Sequence, residues 1–226
     1  MKLGIHQPQY LPWLHYFIKI KECDIFVLLD TVDYQKNGIQ NRNQIKTNNG
    51  KTWLTVPVVN KLGQKIKDVS ISNINDWKKK HRMTLDQFYN KSEFYKNYKH
   101  EIDEIYLTQW GSLSELNIKF IIKMLKWLNI NTPIYRSSDL KVYGQSTELI
   151  INICNEFNAK QYISGIGGKN YLDENFFTKN NIKLNYLKNK KIAEYRQSYS
   201  DKGFINDLSA LDIIFNCGDK WIDCLT

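Results

Sequence analysis

The segment that most constrains the fold is short. Asp24-Ile25-Phe26-Val27-Leu28-Leu29-Asp30 is a near-continuous apolar run that ends in a carboxylate. A strand that is apolar on both faces needs cover on both sides, which points to an internal strand of a parallel sheet. The residues before it complete a unit. Leu3-Gly4-Ile5-His6 reads as a buried strand, followed by the Pro-rich turn Gln7-Pro8-Gln9-Tyr10-Leu11-Pro12. Residues 13–22 are helical, with Leu14, Phe17, Ile18 and Lys21 spaced for one face. Pro12 suits the first helical turn, where its missing N–H leaves no bond unmade. Residues 3–30 therefore read as one βαβ unit.

The remaining chain continues the alternation. Residues 31–50 are polar and read as loop. Residues 52–59 alternate into a strand with Pro57 near its end, and residues 69–72 form another short strand. Residues 76–128 turn helical, with breaks near Asn90-Lys91-Ser92 and Gly111-Ser112 that imply three helices, and Thr132-Pro133 stops the last. Strands at 134–136, 161–164 and 182–186 and helices at 147–157 and 208–216 follow. The expected fold class is α/β, a mostly parallel Rossmann-like sheet in a single domain with a helical insertion at about 76–130.

Composition excludes several classes. No stretch approaches the roughly 18 uninterrupted apolar residues of a membrane span. The most apolar window, 113–128, is broken by Glu115, Asn117, Lys119, Lys123 and Lys126. The N-terminus has no signal-peptide pattern, so the expected location is the cytoplasm. Cys23, Cys154, Cys217 and Cys224 form no CxxC pair and no His sits at a zinc-finger spacing, so they read as free thiols, mostly buried, with no metal site. Lys and Arg number 32 against 23 Asp and Glu, a formal charge of +9. That excess calls for an anionic partner to be considered. Trp77-Lys78-Lys79-Lys80-His81-Arg82 and Lys188-Asn189-Lys190-Lys191, with 14 Tyr and 6 Trp in the chain, fit an RNA-binding surface. Phe88, Tyr89, Phe94 and Tyr95 fall at core spacing, however, so solvated helix faces are the better reading and nucleic acid is not the expected partner.

Topology picks out the residues for chemistry. In open parallel sheets ligands bind beyond the carboxyl ends of the strands. His6 and Gln7 end the first strand, Asp30 the second, and Ser164, Gly165, Gly167, Gly168 and Lys169 follow a later one. His6 is the candidate acid/base, and Asp30 is its partner or an amine-orienting carboxylate, with ribose binding or a base role of its own also open. Gln7, Gln9, Tyr10, Asn43 and Tyr171 join them as substrate contacts. Arg42 is a candidate bidentate clamp on phosphate or carboxylate, with Asp33, Lys36, Asn41 and Lys46 in the same polar stretch. His15, inside the first helix, reads as structural or at a pocket rim. The glycines near 165–168 permit close backbone approach to a phosphate, although neither GxxxxGK[ST] nor GxGxxG spacing is present. The strand–loop–helix–strand start resembles HxGH-type nucleotidyltransferases in fold alone: His6 and His15 are nine residues apart and the Gly is missing.

The ordered set of motifs resembles one family more specifically. His6-Gln7-Pro8-Gln9-Tyr10-Leu11-Pro12-Trp13, the run from Asp24 to Asp30, Asn41-Arg42-Asn43 with Ile45-Lys46, and Trp53-Leu54-Thr55-Val56-Pro57-Val58 open the series. Ser164-Gly165, Gly168-Lys169-Asn170-Tyr171-Leu172, Gly203-Phe204-Ile205, Leu208-Ser209, Leu211-Asp212, Phe215-Asn216 and Gly218 continue it. Together they resemble the WbqC-like proteins over nearly the whole chain, with Tyr195-Arg196-Gln197 where Tyr-Pro-Gln is expected. The resemblance implies bacterial O-antigen or capsule biosynthesis and a nucleotide-linked sugar as partner. With the strand-end residues, it leads to an expected transferase that places an acyl or aminoacyl group, taken from a matching donor, on a sugar amine. Two alternatives stay open: nucleotidyl transfer with Mg²⁺, activating a carboxylate or sugar phosphate, and a non-catalytic RNA-binding or scaffold protein. A homodimer is the assembly considered.

Overall fold

The computed structural model describes residues 1–188 and 190–226. In chain order the elements are β1 (Lys2–His6), α1 (Leu14–Lys21), β2 (Ile25–Leu28), β3 (Arg42–Thr47), β4 (Gly50–Thr55), β5 (Val58–Val59), β6 (Ser70–Ile71), α2 (Trp77–Tyr89), α3 (Tyr95–Leu107), α4 (Leu113–Trp127), β7 (Ile134–Arg136), α5 (Ser146–Glu156), β8 (Gln161–Gly165), α6 (Glu174–Lys179), β9 (Lys183–Leu187) and α7 (Leu211–Cys217). The chain divides into two compact units. The first comprises Met1–Gln7, His15–Val32 and Ile130–Asn189; the second comprises Pro8–Leu14, Asp33–Asn129 and Lys190–Thr226.

The first unit is an α/β sheet of five parallel strands in the order β7-β2-β1-β8-β9. Counted within the unit this is 3-2-1-4-5, so strand order reverses between β1 and β8. Leu3, Ile5 and Val27 turn to one face and pack with Ile150, Ile153, Tyr162 and Phe177. Gly4 lies between them on the other side of the strand. A Cβ there would come within 2.6 Å of Cys23 Sγ and 2.8 Å of the Phe26 ring, so this close approach requires glycine. The helix α1 is buried over Tyr16–Ile20, whereas Lys21 is exposed. The expected face through Lys21 is corrected: Lys19 is the lysine that turns inward, for a reason that the site makes plain.

The second unit carries two small antiparallel ladders, β3 with β4 and β5 with β6, and the helices α2, α3, α4 and α7. Three helices fill 77–127 with breaks near the expected positions. Asp76 caps α2 by accepting from Lys79 N, and Ser112 caps α4 by accepting from Glu115 N. The reading of 31–50 as loop is corrected, because β3 occupies its end. That strand carries one apolar residue, Ile45, and buries Asn43, Lys46 and Thr47 instead, so hydropathy hides it. The expected strand at 52–59 is split, with β4 ending at Thr55 and β5 pairing elsewhere across Pro57. A 3-10 helix at Gly218–Cys224, absent from the sequence reading, buries Trp221, whose indole N–H donates to Leu128 O at 3.0 Å. Cys23 and Cys154 are buried; Cys217 and Cys224 are half-buried, and all four are free thiols. Among the described residues no helix is long and apolar enough to cross a membrane.

Candidate functional site

The strand reversal in the first unit brings His6, Gln7 and the 164–169 loop to one edge of the sheet. Lys2 pairs with Gln161 and Gly4 with Ile163, after which β1 and β8 part. Carbonyl directions alternate along a strand. Lys2 O and His6 O accept from Asp24 N and Leu29 N on the β2 side, so Ile5 O faces β8. The Lys19 ammonium takes that carbonyl, donating at 2.7 Å. Lys19 is 5% exposed, and its Nζ stands 5.8 Å from the Phe26 ring centre and 5.9 Å from that of Tyr162. A buried ammonium thus sits where the two central strands separate. Burial pushes its pKa down to about 8.

His6 is half-buried at the same edge. Its Nδ1 lies 3.2 Å from Gln7 O, and its ring meets Tyr16 edge-on at 5.1 Å. Tyr16 also donates its hydroxyl to Gln7 O at 3.2 Å. Burial, and then the Lys19 charge, push the His6 pKa down to about 3, so the imidazole is neutral at neutral pH. A carbonyl only accepts, so it selects the tautomer with the proton on Nδ1, and Nε2 is the nitrogen that can take a proton.

After β8, residues Ile166–Asn170 form a 3-10 turn. Gly168 is dictated by packing: a Cβ would lie 2.1 Å from Ser164 Oγ. Gly165 and Gly167 have nothing within 4 Å of where a Cβ would sit. Lys169 and Tyr171 are exposed, and the Lys169 ammonium stands 5.3 Å above the Tyr186 ring. Ser164 is 2% exposed and bonded to Gly165 O.

Asp30 takes a different position. It is fully buried, and its carboxylate accepts from Arg136 Nη2 (3.1 Å), Ser137 Oγ (3.0 Å), Ser138 N (3.0 Å) and Ser138 Oγ (2.9 Å). These bonds tie the end of β2 to the exit of β7. Base chemistry at Asp30 would require one of them to break.

The other candidates belong to the second unit. Arg42 stacks on Trp53 at 4.5 Å and donates to Asn37 O. Asn43 is buried and donates to Leu11 O at 2.7 Å, holding the Pro-rich turn. Gln9 is 1% exposed and Tyr10 fully enclosed. The Tyr10 hydroxyl meets His81 Nδ1 at 2.8 Å and the Tyr106 hydroxyl. The His81 ring also bonds the Thr55 backbone, so that nitrogen carries the proton and Nδ1 accepts from Tyr10. Trp77 and His81 are core residues, and Lys78 and Arg82 are bonded to Gln109 and Asp103. The aromatic of the basic 77–82 stretch is thus not available for stacking a base. In the 188–191 stretch, Asn189 lies outside the described residues.

A second polar network escaped the sequence reading. Asp212, 1% exposed, accepts from Tyr89 (2.8 Å), Tyr195 (2.7 Å) and Gln197 (2.8 Å). The Lys46 ammonium, also 1% exposed, donates to Gln197 Oε1 (3.1 Å) and Gly203 O (2.6 Å). Burial raises the Asp212 pKa and lowers that of Lys46. Gln197 bridges the two charges.

Comparison with known proteins fixes the family. The chain matches the WbqC-like protein family over residues 7–224. It belongs to the WbqC-like family. It is also 33% identical over 227 residues to the uncharacterized protein Rv1507c of Mycobacterium tuberculosis (strain ATCC 25618 / H37Rv), covering 99% of this chain and 97% of that protein. No solved structure matches it. The stretches by which this WbqC-like chain resembles the family now have physical tasks. Ile45-Lys46, Gly203-Phe204-Ile205 and Leu211-Asp212 are separated in sequence and meet at the Asp212 network, together with Tyr195 and Gln197 of the stretch that departs from the family pattern. Asp212 lay inside a motif, and that was its only signal. Lys19 had none, since a lysine in an amphipathic helix reads as solvated.

Proposed function

We propose that the first unit is the site of an enzyme that transfers an acyl or aminoacyl group to the amine of a nucleotide-linked sugar, within cytoplasmic O-antigen or capsule biosynthesis. The strand reversal at β1 and β8 carries this reading. A neutral imidazole, a buried ammonium and a glycine loop share the position where open α/β sheets take their ligands. Nucleotide phosphates lie over Gly165–Lys169, with Lys169 supplying charge. The sugar amine attacks the carbonyl carbon of the donor. Its N–H proton passes to His6 Nε2, and the leaving group departs with the electron pair of the broken bond. Burial, and then the Lys19 charge, keep His6 neutral before substrate arrives. The phosphate then raises its basicity, because a nearby anion favours imidazolium. Asp30 acts on position, fixing β2 against β7.

The test is incubation with nucleotide-linked amino sugars and candidate donors, followed by mass spectrometry. The expected result is an acyl mass added to the sugar, lost by about 10²- to 10⁴-fold in His6→Ala. Nucleotide-sugar binding without transfer from any donor overturns the transferase reading. Pyrophosphate release from a nucleoside triphosphate replaces it with nucleotidyl transfer.

A further inference from the structure

A separate concavity lies wholly within the second unit. It encloses about 560 Å³ between the end of α2, the turn into α3 and the loop before α7. That volume falls in the range of about 300–1,000 Å³ usual for small-molecule sites. Phe88 and Tyr199 form its apolar wall, edge to face at 6.0 Å. Lys91, Glu93 and Arg196 bring two cations and one carboxylate to the lining. Arg196 is exposed and, among the described residues, has no hydrogen-bond or ion-pair partner.

The floor is rigid. Gln197 lines the pocket at 6% exposure, and both ends of its amide are engaged. Its Nε2 donates to Asp212 (2.8 Å) and Ile205 O (2.9 Å), while Oε1 accepts from Ile205 N (2.9 Å) and Lys46 (3.1 Å). Tyr199 holds a left-handed backbone, φ 57°, which a bulky residue adopts only where its surroundings compel it. Such strain gathers at ligand clamps. The pocket is therefore preorganised by a buried charged network, and among the described residues both cations in its lining, Lys91 and Arg196, stand unpaired.

We propose that this pocket binds a small polyhydroxylated anion, a sugar phosphate or a sugar acid. The Arg196 guanidinium takes the phosphate or carboxylate in a bidentate fork. The Phe88–Tyr199 wall takes the apolar face of the ring, and the amides and hydroxyls of the lining take its hydroxyl groups. The inference does not rest on the transferase reading, which concerns the other unit.

Calorimetric titration of the full-length protein with glucose 6-phosphate, glucuronate, glucose and inorganic phosphate tests it. One or both charged sugars are expected to bind with Kd below about 1 mM. Glucose and inorganic phosphate should each bind at least about tenfold more weakly. Arg196→Ala should lose at least about tenfold in affinity while keeping its thermal midpoint, since the side chain is exposed and unpartnered. Phe88→Ala should weaken the sugars and leave inorganic phosphate unchanged. His6→Ala should bind as the parent does. Equal affinity in the parent and Arg196→Ala overturns the proposal. So does failure of both charged sugars to bind, or inorganic phosphate binding as tightly as they do. Loss of binding in His6→Ala would reassign the ligand to the first unit and likewise overturn it.

Discussion

The two units handle polar groups in opposite ways. In the first, a five-stranded ladder satisfies the backbone, the interior is mostly aliphatic and aromatic, and the polar side chains gather at strand ends. In the second, two-stranded ladders leave distant segments to be joined by side chains. Lys46 from β3, Tyr89 from α2, Tyr195 and Gln197 from the late loop and Asp212 from α7 are bonded in its interior. A sheet distributes its bonding over many equivalent backbone pairs. A side-chain network concentrates it in a few groups, each with no water to replace a lost partner. Single substitutions should therefore be felt more sharply in the second unit.

Lys46→Met should give the largest effect. It leaves the Asp212 carboxylate without its countercharge and strips a donor from Gln197 Oε1 and Gly203 O. Loss of one member of a buried charged set costs about 3–5 kcal/mol. The matched change in the first unit, Arg136→Met, should cost less. Arg136 is partly exposed, and Asp30 keeps its serine donors. Urea denaturation of both variants checks the comparison, and equal losses would break it.

Each unit also holds a neutral histidine, His81 buried and His6 half-buried. His81 titrates at about 4 and His6 at about 3 in the folded protein, against an ordinary value of about 6.5. Between those limits the unfolded chain binds protons that the folded one does not. Stability is then complete above about pH 6.5 and falls as pH drops towards the folded values. For His81 the span corresponds to roughly 3 kcal/mol. Carboxylates titrate in the same range, so the difference between the parent and His81→Gln is what matters. His81→Gln should show a shallower fall between pH 6.5 and 4. A parallel fall would mean that His81 is not held neutral by burial.

The same contrast governs what could be read from the sequence. The runs at 3–6 and 24–30 show through because strands covered on both faces are mostly apolar. Once they are parallel, the residues at their ends follow from topology, which is why His6, Gln7 and Ser164–Lys169 were accessible from order alone. Asp30 was also found by position, yet its neighbours Ser137 and Ser138 come from a 3-10 turn more than 100 residues away. Burial and bonding set its task, and neither has a local signature. Arg-Asn-Gln-Ile-Lys-Thr of β3 reads as loop because its inward side chains are polar, and the partners of Asn43 and Lys46 are Leu11 O and groups beyond residue 195. Lys19 is hidden for a related reason. What draws it inward is a carbonyl left over where β1 and β8 part, a feature of the strand order and not of the helix.

The smallest effect concerns two cations that each lie over an aromatic ring. Arg42 stacks on Trp53 at 4.5 Å in the second unit, and Lys169 stands 5.3 Å over Tyr186 in the first. A planar guanidinium on an indole is the stronger pair, worth about 0.5–1 kcal/mol at a partly exposed site. Double-mutant cycles should place the Arg42–Trp53 coupling in that range and the Lys169–Tyr186 coupling below about 0.5 kcal/mol. Ligand affinity should invert the order. If the nucleotide phosphates bind over the 165–169 loop, Lys169→Ala weakens nucleotide-sugar binding by more than its small stability cost accounts for. Arg42→Ala, already engaged with Trp53 and Asn37 O, should weaken it less. Equal losses of affinity would move the anion site away from the strand reversal. Loss confined to Arg42→Ala would assign the nucleotide to the second unit.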